Sequence, residues 1–545
     1  MANPTLVSSG TEMTDIFLKG IVCPYQLLIA DSKMPEAGWG LFAREEIPAG
    51  MQIFRAMPVV SVVSSVGACD NCFGWVGSSD PFKPPIHLSM CISCKRVKYC
   101  SKASTLLFGE HIPDSNRFQG CQRAAWKRHH KKECTIYREI DNHVLEPKGD
   151  SLAIRMFIRL VVLHQDGQLT ENQWKAISAL KSHKESIGKS KELGLPAINS
   201  DIQLLREVTQ CDMSESDLQD LYWRINFNQH SVDSPLQPHL GSCLVPSATL
   251  INHSCDPNAH HLSEGPELVL RSSRKIAKNE EITISYIEST QSFEERQKVL
   301  STTYAFGCQC RKCTKGFKEQ GEILTGNSVL DVPIRSAKSK LHALLDALAD
   351  GTQELDGVET RMREICSGPF AGKPWPINAS PLPALYEVLA RKFEGEQQWE
   401  KALRVWLKIV YVIDPLRYPE RLNPHRVEHL MALCQLEGQI SQMSEIDVGV
   451  KASFRKIEAA MPVVLSHHHI QLKEDAAASL GTNHVIFKIA AYYVKVMDQQ
   501  MATGMRVPVS VWQSDQAKDK RKERYEAREL ELLKWADVDL TAKTI

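Results

Sequence analysis

Two periods of hydrophobic patterning run along this chain, and the switch between them divides it. Residues 20–66 are dense in β-formers. QIFRAMPVVSVVSS, residues 52–65, reads as strand, and the stretches EAGWG and IPAG before it read as turns. DSLAIRMFIRLVVL, residues 150–163, opens with an Asp-Ser cap and is apolar nearly all round, which predicts a buried helix. Residues 170–228 read as further helices with polar connections. Strand signals return at 241–287, where ELVLRSS and EITISYIE are joined by a KNEE turn. From about residue 335 a helical period dominates. Ala402, Trp406 and Pro415 sit as in the second helix of a tetratricopeptide unit. The Gly- and Pro-rich residues 366–383 predict a linker, and the last thirty a charged amphipathic helix.

The length of 545 residues predicts two to four folding units. Lys+Arg and Asp+Glu both number 65, which argues against a nucleic-acid-coating protein and leaves direct DNA binding to a local basic patch. No apolar run reaches the roughly 18 residues of a membrane span, so no membrane contact is expected. The opening MANPTLVSSGTEMTDIF lacks the basic and apolar regions of a secretory signal, which predicts a cytoplasmic and/or nuclear protein. KDKRKER at 518–524 and the triplet His467-His468-His469 both read as solvated helix surface, the triplet because it has no spaced metal-binding partner.

Cysteine changes the picture. Of 16, seven fall between Cys69 and Cys134, and three more are Cys308, Cys310 and Cys313. Clustered thiols in a reducing compartment read as metal ligands before disulfides. Cys69, Cys72, Cys91, Cys94, Cys100, Cys121 and Cys134, with His129 or His130, supply eight ligands, enough for two tetrahedral zinc ions. A segment so poor in apolar residues needs that ligation to fold.

INHSCDPN, residues 251–258, places a histidine two residues from Cys255 and invites a nucleophile reading. Adjacency in sequence does not supply the geometry of a base. CQCRKC offers three thiolates in need of a fourth, and Cys255 is its natural completion, as a zinc ligand and not an attacking group.

The run YCS, CQ, Trp126, His129/His130 and Cys134 resembles the MYND zinc finger. That resemblance implies interleaved ligation: Cys69, Cys72, Cys100 and Cys121 on one zinc, and Cys91, Cys94, a histidine and Cys134 on the other. His130 is preferred because it lies i, i+4 from Cys134, although His129 keeps the family's distance from Trp126. Twenty residues separate Cys100 from Cys121 where the family has three. Residues 103–119 are expected to be a surface excursion that leaves this pairing intact, with a translated intron as the alternative.

GWGLFAREEIPAG at 38–50, NHSCDPN, EEITISYIE and YAFGCQC, in that order, are similar to the SET domain of lysine methyltransferases with its post-SET zinc loop. With a finger inserted and helices following, the chain resembles the SET-and-MYND-domain (SMYD) family. The resemblance implies an α+β fold: SET strands at 20–68, a finger at 69–134, a helical insertion at 135–240, the SET core at 241–290, a post-SET loop at 291–315 and a helical, TPR-like region at 325–545. It also implies S-adenosylmethionine-dependent methylation of histone or non-histone lysines, with three structural zinc ions. Gly38, Trp39, Gly40, Asn228, Asn252, His253 and Phe306 would bind the cofactor. Asn228 is the weakest match, since NQH stands where the family has N-x-F. Tyr286 would be the catalytic tyrosine and Tyr304 would line the lysine channel. Partners would be the lysine-bearing protein and Pro-rich peptides on the finger; a catalytically silent adaptor is the alternative.

Overall fold

The computed structural model describes residues 16–18, 21–34, 37–64, 67–74, 86–100, 120–143, 152–183, 198–234, 237–318, 322–367, 375–503 and 515–545. The predicted excursion at 103–119 lies outside them. Two compact units emerge. The first comprises Met1–Pro48, Gln52–Ile284 and Lys298–Cys308; the second Ala49–Met51, Ser285–Gln297 and Gln309–Ile545. Tyr286 thus counts with the helical unit, although the sequence reading assigned it to the SET core.

The first unit is a set of small sheets. β1 (Leu27–Asp31) and β2 (Trp39–Ala43) form an antiparallel hairpin in which Asp31 faces Trp39 and Ala30 faces Gly40. β3 (Gln52–Ala56) and β4 (Val60–Val63) come from the β-branched run. β5 (Leu88–Met90) and β6 (Lys98–Cys100) make the short hairpin of the cysteine segment. β7 (His230–Ser234) and β8 (Gln237–Leu244) join β4, and Gly241 is required there because a Cβ would lie 2.1 Å from the Val62 carbonyl oxygen. β9 (Asn252–His253) meets β12 (Thr283–Ile284) in parallel, and β10 (Ala259–Glu264) and β11 (Glu267–Ser272) extend β3. EITISYIE is therefore not the second arm of a hairpin with ELVLRSS. Thr283 and Ile284 pair with NHSC, and Glu281 bridges Phe42 of β2. A period-2 pattern identifies a strand but not its neighbour.

Its helices begin with Cys121–Ala125 (α1), a π-helical turn at Trp126–His130 and Lys131–His143 (α2). The predicted buried helix is α3 (Leu152–Gln165), which buries Arg155 and Arg159 along with its apolar residues. α4 (Glu171–Ala179) starts in a capping box of Thr170 and Gln173. α5 (Ile198–Thr209) and α6 (Glu215–Asn228) follow, α6 capped by Ser214. α7 (Phe293–Tyr304), of which Lys298–Tyr304 counts with this unit, leads to Phe306.

The second unit is helical, as its periodicity predicts. α8 (Val332–Ala349), α9 (Val358–Ser367), α10 (Leu382–Gly395), α11 (Trp399–Lys408), α12 (Asp414–Arg417), α13 (Pro424–Ile446), α14 (Val448–Ser453), α15 (Met461–Ser479), α16 (Val485–Thr503) and α17 (Asp515–Trp535) succeed one another. α10 packs on α11, α13 on α15 and α15 on α16. The predicted linker at 366–383 ends inside α10, whose Leu382 is fully buried. Ala402 and Trp406 are likewise fully buried on α11.

The histidine triplet is not solvated. His468 and His469 are buried, and His467 stacks on Tyr525 with ring centroids 3.5 Å apart. His468 Nδ1 lies 2.9 Å from Glu437 and its Nε2 lies 2.7 Å from the Tyr411 hydroxyl. A histidine needs no metal when carboxylate and phenol occupy both ring nitrogens.

A second buried histidine predicts a pH dependence. His429 Nδ1 sits 2.9 Å from Asp414. Burial opposes its charge, but hydrogen bonds to Asp414 and Glu387 raise its pKa to about 9. The unfolded value is about 6.5, so its contribution to stability is full below that pH and is lost as pH rises through about 9. His429→Gln should cost about 3 kcal/mol at pH 7, because it leaves a buried carboxylate without its partner. Denaturant titrations should show the gap between H429Q and wild type narrowing above pH 9, and a gap constant from pH 6 to 10 would refute the assignment.

Candidate active site and metal centres

The β9–β12 pair brings NHSC beside EEITI, with Asn252 opposite Thr283 and His253 opposite Ile284. Ser254 N donates to Ile284 O at 2.9 Å. Asn258, the last residue of NHSCDPN, donates from Nδ2 to Glu281 O at 2.8 Å and accepts from Thr283 N at 2.8 Å, which locks the crossing.

Beside this crossing Asn252 Nδ2 donates to Trp39 O at 3.0 Å and to Glu281 Oε1 at 2.8 Å. Glu281 is buried, and also accepts from Ser32 Oγ at 2.7 Å and Lys33 N at 3.2 Å. The Asn252 side chain is thereby fixed against the β2 backbone. Gly38 has φ +80°, which favours glycine. A Cβ on Gly40 would lie 2.5 Å from Glu281 Oε1 and 3.2 Å from Asn252 Nδ2. These glycines leave bare backbone beside an anchored amide, a cradle that suits a small zwitterionic ligand such as the methionine end of S-adenosylmethionine.

His253 is buried, with Nε2 3.2 Å from Cys255 Sγ and its ring 5.9 Å from that of Phe306. Asn228 ends α6, and its Nδ2 donates to Arg224 O at 2.8 Å and to Lys181 O at 3.1 Å. Two residues on, burial lowers His230 to about 3, so NQH presents a neutral ring. Tyr304 is half-buried, and burial raises its hydroxyl pKa. Tyr286 is half-buried within the second unit. Sequence reasoning missed Glu281, Ser32, Asn258 and Lys181. An acid inside the apolar run EEITI was the available signal for Glu281.

Seven cysteines and one histidine of the finger converge as the interleaved pairing requires. The ligand atoms of Cys69, Cys72, Cys100 and Cys121 lie within 4.8 Å of one another, as do those of Cys91, Cys94, His130 and Cys134. Tetrahedral zinc at about 2.3 Å from each sulfur needs sulfurs about 3.8 Å apart. Cys91 and Cys134 stand 3.8 Å apart, Cys100 and Cys121 3.9 Å, and Cys72 and Cys100 3.3 Å. Without a cation the crowded thiols compete for protons. Hydrogen bonds from Cys100, Cys121 and Cys72 hold Cys69 far below the usual thiol range, and those with Cys100, Cys121 and Cys69 push Cys72 far above it. A divalent ion would resolve the conflict by taking all four as thiolates, so both sets fit zinc.

His130, not His129, faces the second set, with Nε2 3.7 Å from Cys94 Sγ. The π-helical turn carries an extra residue per turn, so spacing counted forward from Trp126 misleads while i, i+4 counted from Cys134 holds. Glu133 Oε2 lies 3.6 Å from His130 Nδ1 and 3.0 Å from His129 Nδ1, where it can orient the ligand ring. Arg159 donates to Glu133 at 2.6 Å and to Asp70 at 2.5 Å, and Arg155 donates to Asp70 at 3.1 Å. Each metal set is thus tied to α3 through one carboxylate. Cys255 and Cys308 are buried in the first unit, and Cys310 and Cys313 are buried in the second.

A family model described as the SET domain matches residues 38–287. The chain is 30% identical over 309 residues to the Histone-lysine N-methyltransferase ASHR1 of Arabidopsis thaliana, covering 54% of this chain and 58% of that one. It is 28% identical to the Histone-lysine N-methyltransferase SMYD3 of Mus musculus, covering 56% and 66%. It is 27% identical to the SET domain and MYND-type zinc finger protein 6 of Schizosaccharomyces pombe, covering 56% and 57%. The chain therefore spans less than two thirds of the length of these relatives. The SET match encloses both cysteine sets of the finger, and the relatives that the chain resembles include a protein named for its SET domain and MYND-type zinc finger.

Proposed function

We propose that this chain is an S-adenosylmethionine-dependent protein-lysine N-methyltransferase acting on histone or non-histone proteins. The observation that carries the reading is Asn252, its amide anchored to Trp39 O and Glu281 beside a Gly40 that has no room for a side chain. When bound, S-adenosylmethionine supplies a methyl group on a positively charged sulfur. The chain's task is then positional, since alignment contributes most of the acceleration in a displacement of this kind. Gly38, Trp39, Gly40 and Asn252 hold the methionine end, Asn228 is a further cofactor contact, the His253 backbone meets the adenine and Phe306 packs on it. Tyr304 lines the lysine channel, and Tyr286 orients the amine through its hydroxyl. The acceptor must lose its proton, although a free lysine has a pKa of about 10.4; a dry aromatic channel lowers that value.

The cofactor cradle gives a sharp expectation. Gly40→Ala pushes a methyl group into Glu281, which Ser32 and Lys33 hold in place. Overpacking of this kind costs on the order of 1–3 kcal/mol, so S-adenosylmethionine affinity should fall about tenfold or more. Calorimetric titration checks this, and unchanged affinity would remove Gly40 from the site.

Three structural zinc ions complete the proposal: one on each set of the finger, and a third on Cys255, Cys308, Cys310 and Cys313. Four protein ligands leave no open position, so each ion holds a loop. Met90, Ile92 and Trp126 are exposed on the finger and suit an apolar segment of a protein partner, such as a Pro-rich peptide. A reducing compartment, cytoplasm and/or nucleus, belongs to the same proposal, because eleven of the sixteen cysteines gather in three ligand sets that suit metal before disulfides.

A further inference from the structure

We infer that Lys181 is a cofactor-binding residue whose ammonium group receives the α-carboxylate of S-adenosylmethionine. The inference rests on the functional reading above. Lys181 lies two residues beyond α4, and its Nζ donates to Ala37 O at 3.1 Å, the carbonyl immediately before Gly38. A Cβ on Gly38 would sit 2.9 Å from that Nζ, so only a glycine lets the ammonium lie directly on the turn. The backbone of the same residue is fixed from the other side. Lys181 O accepts from Asn228 Nδ2 at 3.1 Å, and Leu180 O accepts from Arg224 Nε at 3.0 Å. One lysine therefore joins two expected cofactor positions, Gly38 through its side chain and Asn228 through its carbonyl.

Charge points the same way. The methionine end of the cofactor carries a carboxylate. The acid of the cradle, Glu281, already receives Ser32, Lys33 N and Asn252. Of the two lysines at the turn, Lys33 places its ammonium 5.9 Å above the Phe42 ring, and Lys181 donates to the Ala37 carbonyl beside Gly38. Exchanging that carbonyl for a carboxylate gains a charge-assisted hydrogen bond, roughly twice as strong as a neutral one. The flexible four-carbon stem allows the move without displacing Asn228.

The test pairs two ligands with three proteins. Calorimetry measures S-adenosylmethionine and its decarboxylated analogue on wild type, Lys181→Met and Lys181→Arg. Wild type should bind the intact cofactor about tenfold tighter than the analogue. K181M should lose that tenfold on the intact cofactor and stay within about twofold on the analogue, and K181R should recover most of the difference. Equal losses on both ligands would make Lys181 a purely structural residue and overturn the inference. Unchanged or tighter binding of the intact cofactor by K181M would do the same, the latter marking the lysine as a competitor for the pocket. If wild type binds neither ligand, the methyltransferase reading itself falls; if wild type binds and K181M matches it, only the role of Lys181 falls.

Discussion

Chelating zinc from the intact chain is expected to unfold the finger and to loosen α3 with it. Structural zinc in small fingers supplies on the order of 10 kcal/mol of folding free energy per site. Little else holds this segment, whose strands β5 and β6 are three residues each. Asp70 follows Cys69 and Glu133 precedes Cys134, and both carboxylates converge on the buried guanidinium of Arg159. Losing the metal therefore strands two buried charges, and breaking such a network costs roughly 3–5 kcal/mol. Elemental analysis should find three ions per chain before chelation. Circular dichroism and hydrogen exchange after chelation should report lost protection in residues 121–143 and 152–165. A metal-free chain with unchanged exchange across these helices would contradict the ligand assignment.

The second large effect concerns catalysis. Tyr286→Phe should lower kcat by about 10²-fold or more while S-adenosylmethionine affinity stays within a few-fold of wild type. Removing one preorganised hydrogen-bond donor from a reacting centre has consequences of that order, and they fall on turnover because the interaction strengthens only in the transition state. Asn252→Ala should show the reverse order, weakening cofactor binding first, because the Asn252 amide is fixed before any ligand arrives. Single-turnover kinetics with calorimetry separates the two. Equal loss of cofactor binding in both variants would reassign Tyr286 to the binding site.

What the sequence reveals and what it hides follow one physical line. Cysteine spacing made the metal ligands legible, while their interleaved pairing came from the resemblance to the MYND finger; the ligand atoms gather in those two sets. The buried α3 was legible from its apolar surface, yet its two arginines were not explained. The carboxylate partners of Arg159 lie 26 and 89 residues away and that of Arg155 lies 85 away, and no local pattern encodes such distances. The same limit hid the parallel pairing of NHSC with EEITI. It also hid Glu281, whose role depends on residues 29 and 249 positions away. The histidine triplet misled because charge and polarity at three consecutive helical positions imply solvent. In the fold Glu437 and Tyr411 supply His468 with the partners that water would otherwise provide.

The central claim is tested most directly by supplying the purified 545-residue chain with methyl-labelled S-adenosylmethionine and a protein extract, then hydrolysing the labelled proteins to amino acids. The account predicts label in methylated lysine, abolished by Asn252→Ala and strongly reduced by Tyr286→Phe. A correctly folded, zinc-replete protein that binds S-adenosylmethionine yet places no label on lysine would contradict it and favour a binding protein that has kept the fold without the reaction.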